Sequence, residues 1–241
     1  MIALLLNSGL GTRMGDETRE HPKCMCDIGG GESIISWQLK LLERIGIREA
    51  VVTTGHLSDM LEEYLLGLHS PIHFTFVHNP KYRETNYIYS MYLAREYLQD
   101  DVISLHGDLV MHPEVMDRLA ASMVSCGAVD ATLPLPEKDF KAEMAGNRIR
   151  AVGVDRFGEG CVAFQPAYKL LRKDMARWME EIGRFVAEDN VRCYAENAFN
   201  AAWEEIPVYG LDVRGLLCSE IDNQEDRDIV RARFLREVKG E

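Results

Sequence analysis

Ile2-Ala3-Leu4-Leu5-Leu6-Asn7-Ser8-Gly9-Leu10-Gly11-Thr12-Arg13, followed a short way on by Pro22-Lys23, joins an apolar run to a glycine-rich turn and two cations. Ile2 to Leu6 reads as a fully buried strand, a short apolar run that ends in turn residues. The Gly-x-Gly turn after it lets the backbone approach a ligand, because glycine has no Cβ and accepts positive φ. Peptide N–H groups exposed in such a turn form an anion-binding concavity. Arg13 and Lys23 bring positive charge to the same connection, suited to phosphate. The layout suits the grip on a nucleoside triphosphate, although a surface turn between solvated charges gives the same letters. Two better-known phosphate loops do not match. Met14 stands where the dinucleotide fingerprint needs its third glycine, and no Gly-Lys-Ser/Thr closes the segment.

Outward from this turn, strands and helices alternate. Ser33 to Ile45 reads as a helix, with Ile34, Ile35, Leu39, Leu42 and Ile45 at helical spacing, Ser33 as its cap and Gly46 as its stop. Glu49 to Thr54 reads as a second buried strand, Ser58 to Leu66 as a short helix and Ile72 to His78 as an alternating strand. Ser90 to Leu98 is helical, Val102 to Leu105 is a strand leading into His106-Gly107-Asp108, and Pro113 to Met123 is helical again. Such alternation implies βαβ units in a mainly parallel sheet, right-handed crossovers and a site at the carboxyl ends of the strands. In the less regular second half, strands are expected at Ala131 to Leu135, Arg148 to Val154 and Cys161 to Phe164. A long helix is expected over Ala167 to Val186, with Tyr168, Leu171, Met175, Trp178, Met179 and Ile182 on one side. A short helix at Ala198 to Glu204, strands at Val208 to Leu211 and Leu216 to Glu220, and a helix from Asn223 to Val238 complete the chain. With no repeat and no linker, one α/β domain over 1–241 is the simplest account. Its nucleotide-binding part covers about 1–125 and a small acceptor-binding lobe about 126–241.

Composition narrows the partners. The 241 residues are 46% hydrophobic and 27% charged, with a net charge of −12. An acidic surface argues against nucleic acid or anionic membrane as a partner. It also sets the Arg13/Lys23 pair apart. The six cysteines form no disulfide-like framework, and Cys24-x-Cys26 lacks metal or redox spacing. Reduced thiols fit a cytoplasmic protein. The apolar start is too short for a signal peptide, and no stretch reaches the roughly 18 residues of a membrane span.

Two acids carry the remaining chemistry. Asp108 follows an apolar strand, and Asp222 follows another in Cys218-Ser-Glu-Ile-Asp-Asn. Carboxylates at strand ends suit Mg²⁺, which takes one or two of them together with phosphate oxygens and water. The plain alternatives are a turn cap for Asp108 and a helix N-cap for Asp222. Together with the cationic loop they suit attack of an acceptor phosphate on the α-phosphorus of a nucleoside triphosphate, with pyrophosphate leaving. An ionised phosphate is already nucleophilic, so catalysis would be positioning and electrostatics.

Gly9-Leu10-Gly11-Thr12-Arg13 with Pro22-Lys23 resembles the signature loop of the sugar-nucleotidyltransferase-like superfamily, and Asp108 and Asp222 fall where that family carries its metal-binding aspartates. Thr85-Asn86-Tyr87-Ile88-Tyr89-Ser90-Met91-Tyr92-Leu93 is similar to a narrower branch, the bacterial choline-phosphate and phosphonate cytidylyltransferases. The resemblance implies a doubly wound Rossmann-like fold and Mg²⁺-dependent transfer of CMP from CTP to a small phosphate or phosphonate, such as phosphocholine or 2-aminoethylphosphonate. It implies Arg13 and Lys23 as catalytic cations, and Asn7, Ser8, Gly9, Gly11, Thr12, Asn86 and Ser90 as further nucleotide contacts. Asp108 and Asp222 would hold the metal. Tyr89, Lys138 and Glu196 would face the acceptor, and a homodimer is compatible with this reading. Asn7-Ser8 stands where the family has small apolar residues, and His106 stands where it often has a second aspartate. Tyr87, Tyr194 and Phe140 are further pocket candidates, Lys141 joins Lys138 as a candidate for the acceptor phosphate, and Trp37, Trp178 and Trp203 read as core. His106 reads as a structural histidine or an acceptor contact. The rival readings are a sugar-1-phosphate nucleotidyltransferase using UTP or dTTP, and a nucleotide-binding protein without activity.

Overall fold

A computed structural model describes residues 1–11, 14 and 20–241. Thr12 and Arg13, two of the expected triphosphate contacts, lie outside the described residues. The first half runs β1 (Ile2–Leu6), a 3-10 turn (Lys23–Met25), β2 (Asp27–Gly29), β3 (Glu32–Ser33), α1 (Ile34–Arg44), β4 (Glu49–Thr54), α2 (Ser58–Gly67), β5 (His73–His78), α3 (Tyr87–Ala94), β6 (Val102–His106), β7 (Leu109–Met111) and α4 (Pro113–Ala121). The second half runs β8 (Cys126–Asp130), β9 (Lys141–Ala145), β10 (Arg148–Gly153), β11 (Cys161–Leu170), α5 (Arg172–Ala187), α6 (Ala195–Ala201), β12 (Tyr209–Asp212), β13 (Cys218–Glu220) and α7 (Gln224–Phe234).

Nine strands form one sheet in the order β5-β4-β1-β6-β11-β8-β12-β10-β9. The expected parallel unit is its first part, where β5, β4, β1 and β6 run parallel. β11 then joins antiparallel to both β6 and β8, and β12 runs parallel to β8. Strand order reverses at β1, with β4 on one side and β6 on the other. This is the switch point at which a doubly wound sheet opens a crevice for ligand. Leu6 is in register with His106, so the chain following each strand meets there. β1 is buried on both faces. Ala3 and Leu5 pack into the cluster that contains the α1 face, and Ile2 and Leu4 into the cluster that contains α3, α5 and α6. Period-two alternation lets one strand feed both cores. α1 starts at a capping box, with Ser33 Oγ accepting from Ser36 N and Ser36 Oγ accepting from Ser33 N.

Three expected elements fall elsewhere. The strand expected at 131–135 lies at Cys126–Asp130, because Asp130 Oδ1 accepts from Thr132 N and Thr132 Oγ1, at 2.7 and 2.6 Å, and turns the chain. The helix expected from Ala167 begins at Arg172. Tyr168 is paired within β11, opposite Ser104 of β6 and Gly127 of β8, and the extended Leu171 donates its N–H to Ser125 Oγ at 2.9 Å. Met175, Trp178, Met179 and Ile182 do share the buried helix face. β11 carries a register shift between Gln165 and Tyr168, where Pro166 has no N–H to give the ladder. The helix expected at 198–204 occupies Ala195–Ala201, which puts Glu196 in its first turn and 2% exposed. None of the described helices is long and apolar enough to cross a membrane.

Candidate active site

A cleft of about 430 Å³ opens at the carboxyl ends of β1 and β6. Its floor is the Asn7–Gly11 turn and His106-Gly107-Asp108, and its walls include Lys23, Asn86, Tyr87, Lys138, Phe140, Tyr194, Glu220 and Asp222. Gly11 has φ +64°, a conformation that favours glycine. Gly107 is required by crowding. A Cβ there would lie 2.0 Å from Asn7 Oδ1 and 2.8 Å from the Leu6 carbonyl oxygen.

Lys23 is the centre of the charge arrangement. Its Nζ donates to Asp108 Oδ2 and Asp222 Oδ1, each at 2.7 Å. The two aspartates are distant in sequence, and a two-stranded ribbon brings them together. β7 pairs antiparallel with β13, setting Leu109 opposite Glu220, and Ile221 N donates to the Asp108 carbonyl at 2.9 Å. Burial works against the Lys23 charge, but Asp108 and Asp222 outweigh it and raise the ammonium above its ordinary value. Burial likewise opposes the Asp108 charge, and Lys23 and His106 overcome it, holding the carboxyl below its usual range.

Glu220 escaped the sequence reading. It lines the cleft, and its Oε1 lies 3.3 Å from His106 Nδ1. Burial and the Asp108 charge push it up to about 7, with His106 partly offsetting them. Burial opposes protonation of His106, while Glu220 raises it. The signal was present in Glu220-Ile-Asp222, since extended residues two apart point to one side. The donor set fits a divalent cation. Asp108 Oδ1 is buried and has no hydrogen-bond partner among the described residues. Single ligand atoms of His106, Asp108 and Glu220 lie within 4.8 Å of one another.

The expected nucleotide contacts divide in two. Asn7, Ser8, Gly9, Gly11, Lys23 and Asn86 line the cleft. Asn86 also caps α3, its Oδ1 accepting from Tyr87 N at 2.7 Å. Ser90 is fully buried and lies behind the wall, its hydroxyl 2.7 Å from Ser8 Oγ and accepting from Asn79 Nδ2 at 3.0 Å. It therefore holds the Gly-rich turn rather than facing the cleft.

On the acceptor side Lys138 is exposed and lines the cleft, whereas Tyr89 and Glu196 do not. Tyr89 stacks on Tyr92 with Lys81 over its ring. Glu196 sits beneath the wall and accepts from the hydroxyls of Tyr87 and, at 2.8 Å, Tyr168. Burial and the Glu196 charge push both phenols well above their ordinary range. Tyr87 meets His106 edge-on at 4.8 Å, and Phe140 meets Tyr194 edge-on at 5.0 Å, giving an aromatic wall. Lys141 turns away from the expected acceptor phosphate. It is fully buried and donates to the Pro136 carbonyl at 2.8 Å, tying down the loop that carries Lys138.

Residues 3–189 match the MobA-like NTP transferase domain. The chain is 36% identical over 149 residues to the CMP-5'-(3-aminopropyl)phosphonate synthase of Streptomyces rubellomurinus, covering 62% of this chain and 22% of that protein. It is 33% identical over 115 residues to the choline-phosphate cytidylyltransferase of Haemophilus influenzae, covering 48% of this chain and 47% of that protein. The match thus spans less than half the length of these curated relatives. A solved structure of CTP:phosphocholine cytidylyltransferase from Streptococcus pneumoniae superposes with a TM-score of 0.78 at 20% identity, covering 96% of this chain and 98% of that one.

Proposed function

This chain belongs to the MobA-like NTP transferase family, and from that membership we propose that it transfers CMP from CTP to a small phosphate or phosphonate carrying an amino or ammonium group. The observation that carries the reading is Lys23 bridging Asp108 and Asp222 in the switch-point cleft. In the reaction an acceptor oxygen attacks the α-phosphorus of CTP, the bond between that phosphorus and the β-phosphate oxygen breaks, and pyrophosphate leaves. No proton has to be removed from an ionised acceptor, so the protein's work is alignment and charge compensation.

The residues divide that work. The Gly9–Gly11 backbone receives the phosphates, and Lys23 neutralises charge on the phosphoryl groups as they separate. Asp108 and Asp222 would hold a divalent cation, whose charge would stabilise the triphosphate during transfer. The aromatic wall of Tyr87, Phe140 and Tyr194 suits a cationic head group, since ring faces attract ammonium. Lys138 at the rim suits the anionic end of the acceptor. The named substrates of the aminopropylphosphonate and choline-phosphate relatives support an acceptor of this kind.

The test is pyrophosphate release across the four common nucleoside triphosphates and UTP's deoxythymidine analogue, each with phosphocholine, 2-aminoethylphosphonate, phosphoethanolamine and sugar 1-phosphates. Turnover confined to CTP with an amino- or ammonium-bearing acceptor is expected. Turnover with UTP or dTTP and a sugar phosphate would replace this reading.

A further inference from the structure

We propose that His106, Asp108 and Glu220 form one seat for a divalent cation, and that the imidazole shifts its preference from Mg²⁺ toward Mn²⁺. The proposal rests on the reading of the cleft given above and names the chemistry of its cation. His106 ends β6 and Glu220 ends β13, and the β7/β13 ribbon brings both beside Asp108. Their ligand atoms lie within 4.8 Å of one another. A cation with bonds of about 2.1 Å sets its ligands about 3 to 4 Å apart, so a small contraction around the ion completes the seat.

Two further observations point to a ligand there. His106 is 9% exposed and lines the cleft; its Nδ1 lies 3.3 Å from Glu220 Oε1 and its Nε2 has no hydrogen-bond partner among the described residues, so a ring nitrogen is available to an ion. Asp108 divides its two oxygens. Oδ2 receives Lys23, while Oδ1 is buried and has no partner among the described residues. Asp108, Asp222 and Glu220 line this end of the cleft, and Lys23 joins the two aspartates. Lys23 takes one oxygen from each aspartate. Beside the Asp108 and Asp222 pair, Glu220 is therefore a further acidic ligand and His106 the nitrogen ligand.

Ligand type then sets the preference. Mg²⁺ keeps to oxygen ligands and water in a near-ideal octahedron. An imidazole nitrogen favours first-row transition ions. His106 adds one nitrogen to the carboxylate oxygens, and the seat opens onto the cleft, so phosphate oxygens or water can complete the shell.

The probe is Mn²⁺ itself, without nucleotide. Electron paramagnetic resonance of free Mn²⁺, titrated with protein and then with Mg²⁺, gives the ratio of the two affinities. His106→Asp keeps a ligand at this position but removes the nitrogen. The expected result is a Mn²⁺/Mg²⁺ ratio about tenfold lower in His106→Asp than in the unaltered chain, with Glu220→Gln weakening both ions. A ratio unchanged by His106→Asp, or no Mn²⁺ bound by the unaltered chain, overturns the proposal. Should His106→Asp not fold, electron spin echo modulation on the unaltered chain decides. Nitrogen coupling to bound Mn²⁺ supports the seat and its absence removes it. Binding is read without turnover, so failure of the cytidylyltransferase reading, seen in pyrophosphate release, is distinguishable from failure of this one.

Discussion

Lys23 carries more of the site than any other described residue, because one ammonium is shared by two carboxylates brought together from distant parts of the chain. Lys23→Met is expected to slow pyrophosphate release by about a hundredfold, the scale of losing one preorganised electrostatic group. Steady-state kinetics on protein shown folded by circular dichroism checks this, and turnover within a factor of two of the unaltered chain would contradict it. Gly107 is limited by space rather than chemistry. Gly107→Ala drives a methyl into Asn7 Oδ1 and the Leu6 carbonyl and should cost about 1–3 kcal/mol in urea unfolding. Adding Asn7→Ala should recover part of that loss, while the backbone carbonyl keeps the rest. Lys23, Asp108 and Asp222 were legible in the sequence because a Gly-rich turn and acids after apolar strands have few other uses together. Glu220 was not, because the neighbouring Asp222 already explained the segment. Ser90 and Glu196 were legible as polar residues of interest, but their sequence positions do not reveal that they stand behind the cleft wall.

At the scale of elements, α3 and α6 are tied by Glu196, which accepts from the Tyr87 and Tyr168 hydroxyls. Glu196→Ala leaves two buried hydroxyls without their acceptor, at about 1–3 kcal/mol each. A lower melting temperature is expected, together with a raised KM for the acceptor and little change in KM for CTP, because Tyr87 stands in the aromatic wall. A change confined to the CTP KM would place Tyr87 on the nucleotide side instead. Periodicity served well for β1, α1, β4 and the buried face of α5, where one pattern extends over the whole element. It failed around Tyr168, which happens to continue the helical spacing of Met175 and Trp178 although it lies in a strand between two partners. Pairing with distant strands is not written in local spacing, and the boundary at Leu171 is set by Ser125, far away in sequence. The strand at Cys126–Asp130 was hidden in the same way, because its Gly127-Ala128 centre has the small residues of a turn.

At the scale of the whole molecule, the switch point between β4-β1 and β6 places the Gly-rich turn, the β6 carboxylate and the β7/β13 ribbon around one cleft. The alternation of the first half predicts that crevice. The antiparallel β11 and the ribbon that closes the crevice are long-range features and had to be seen. If the acidic cluster holds a cation, removing divalent ions with a chelator should stop pyrophosphate release, and adding Mn²⁺ or Mg²⁺ in excess should restore it. Turnover that persists in chelator would contradict the metal role of Asp108. Transfer of CMP to a phosphorus acceptor is visible by phosphorus-31 NMR of the chain incubated with CTP, divalent cation and 2-aminoethylphosphonate or phosphocholine. A new pair of coupled phosphorus resonances from the CMP–acceptor anhydride is expected, growing with pyrophosphate in equal amount. CTP left intact beside these acceptors, while UTP or dTTP is consumed with a sugar 1-phosphate, would contradict it.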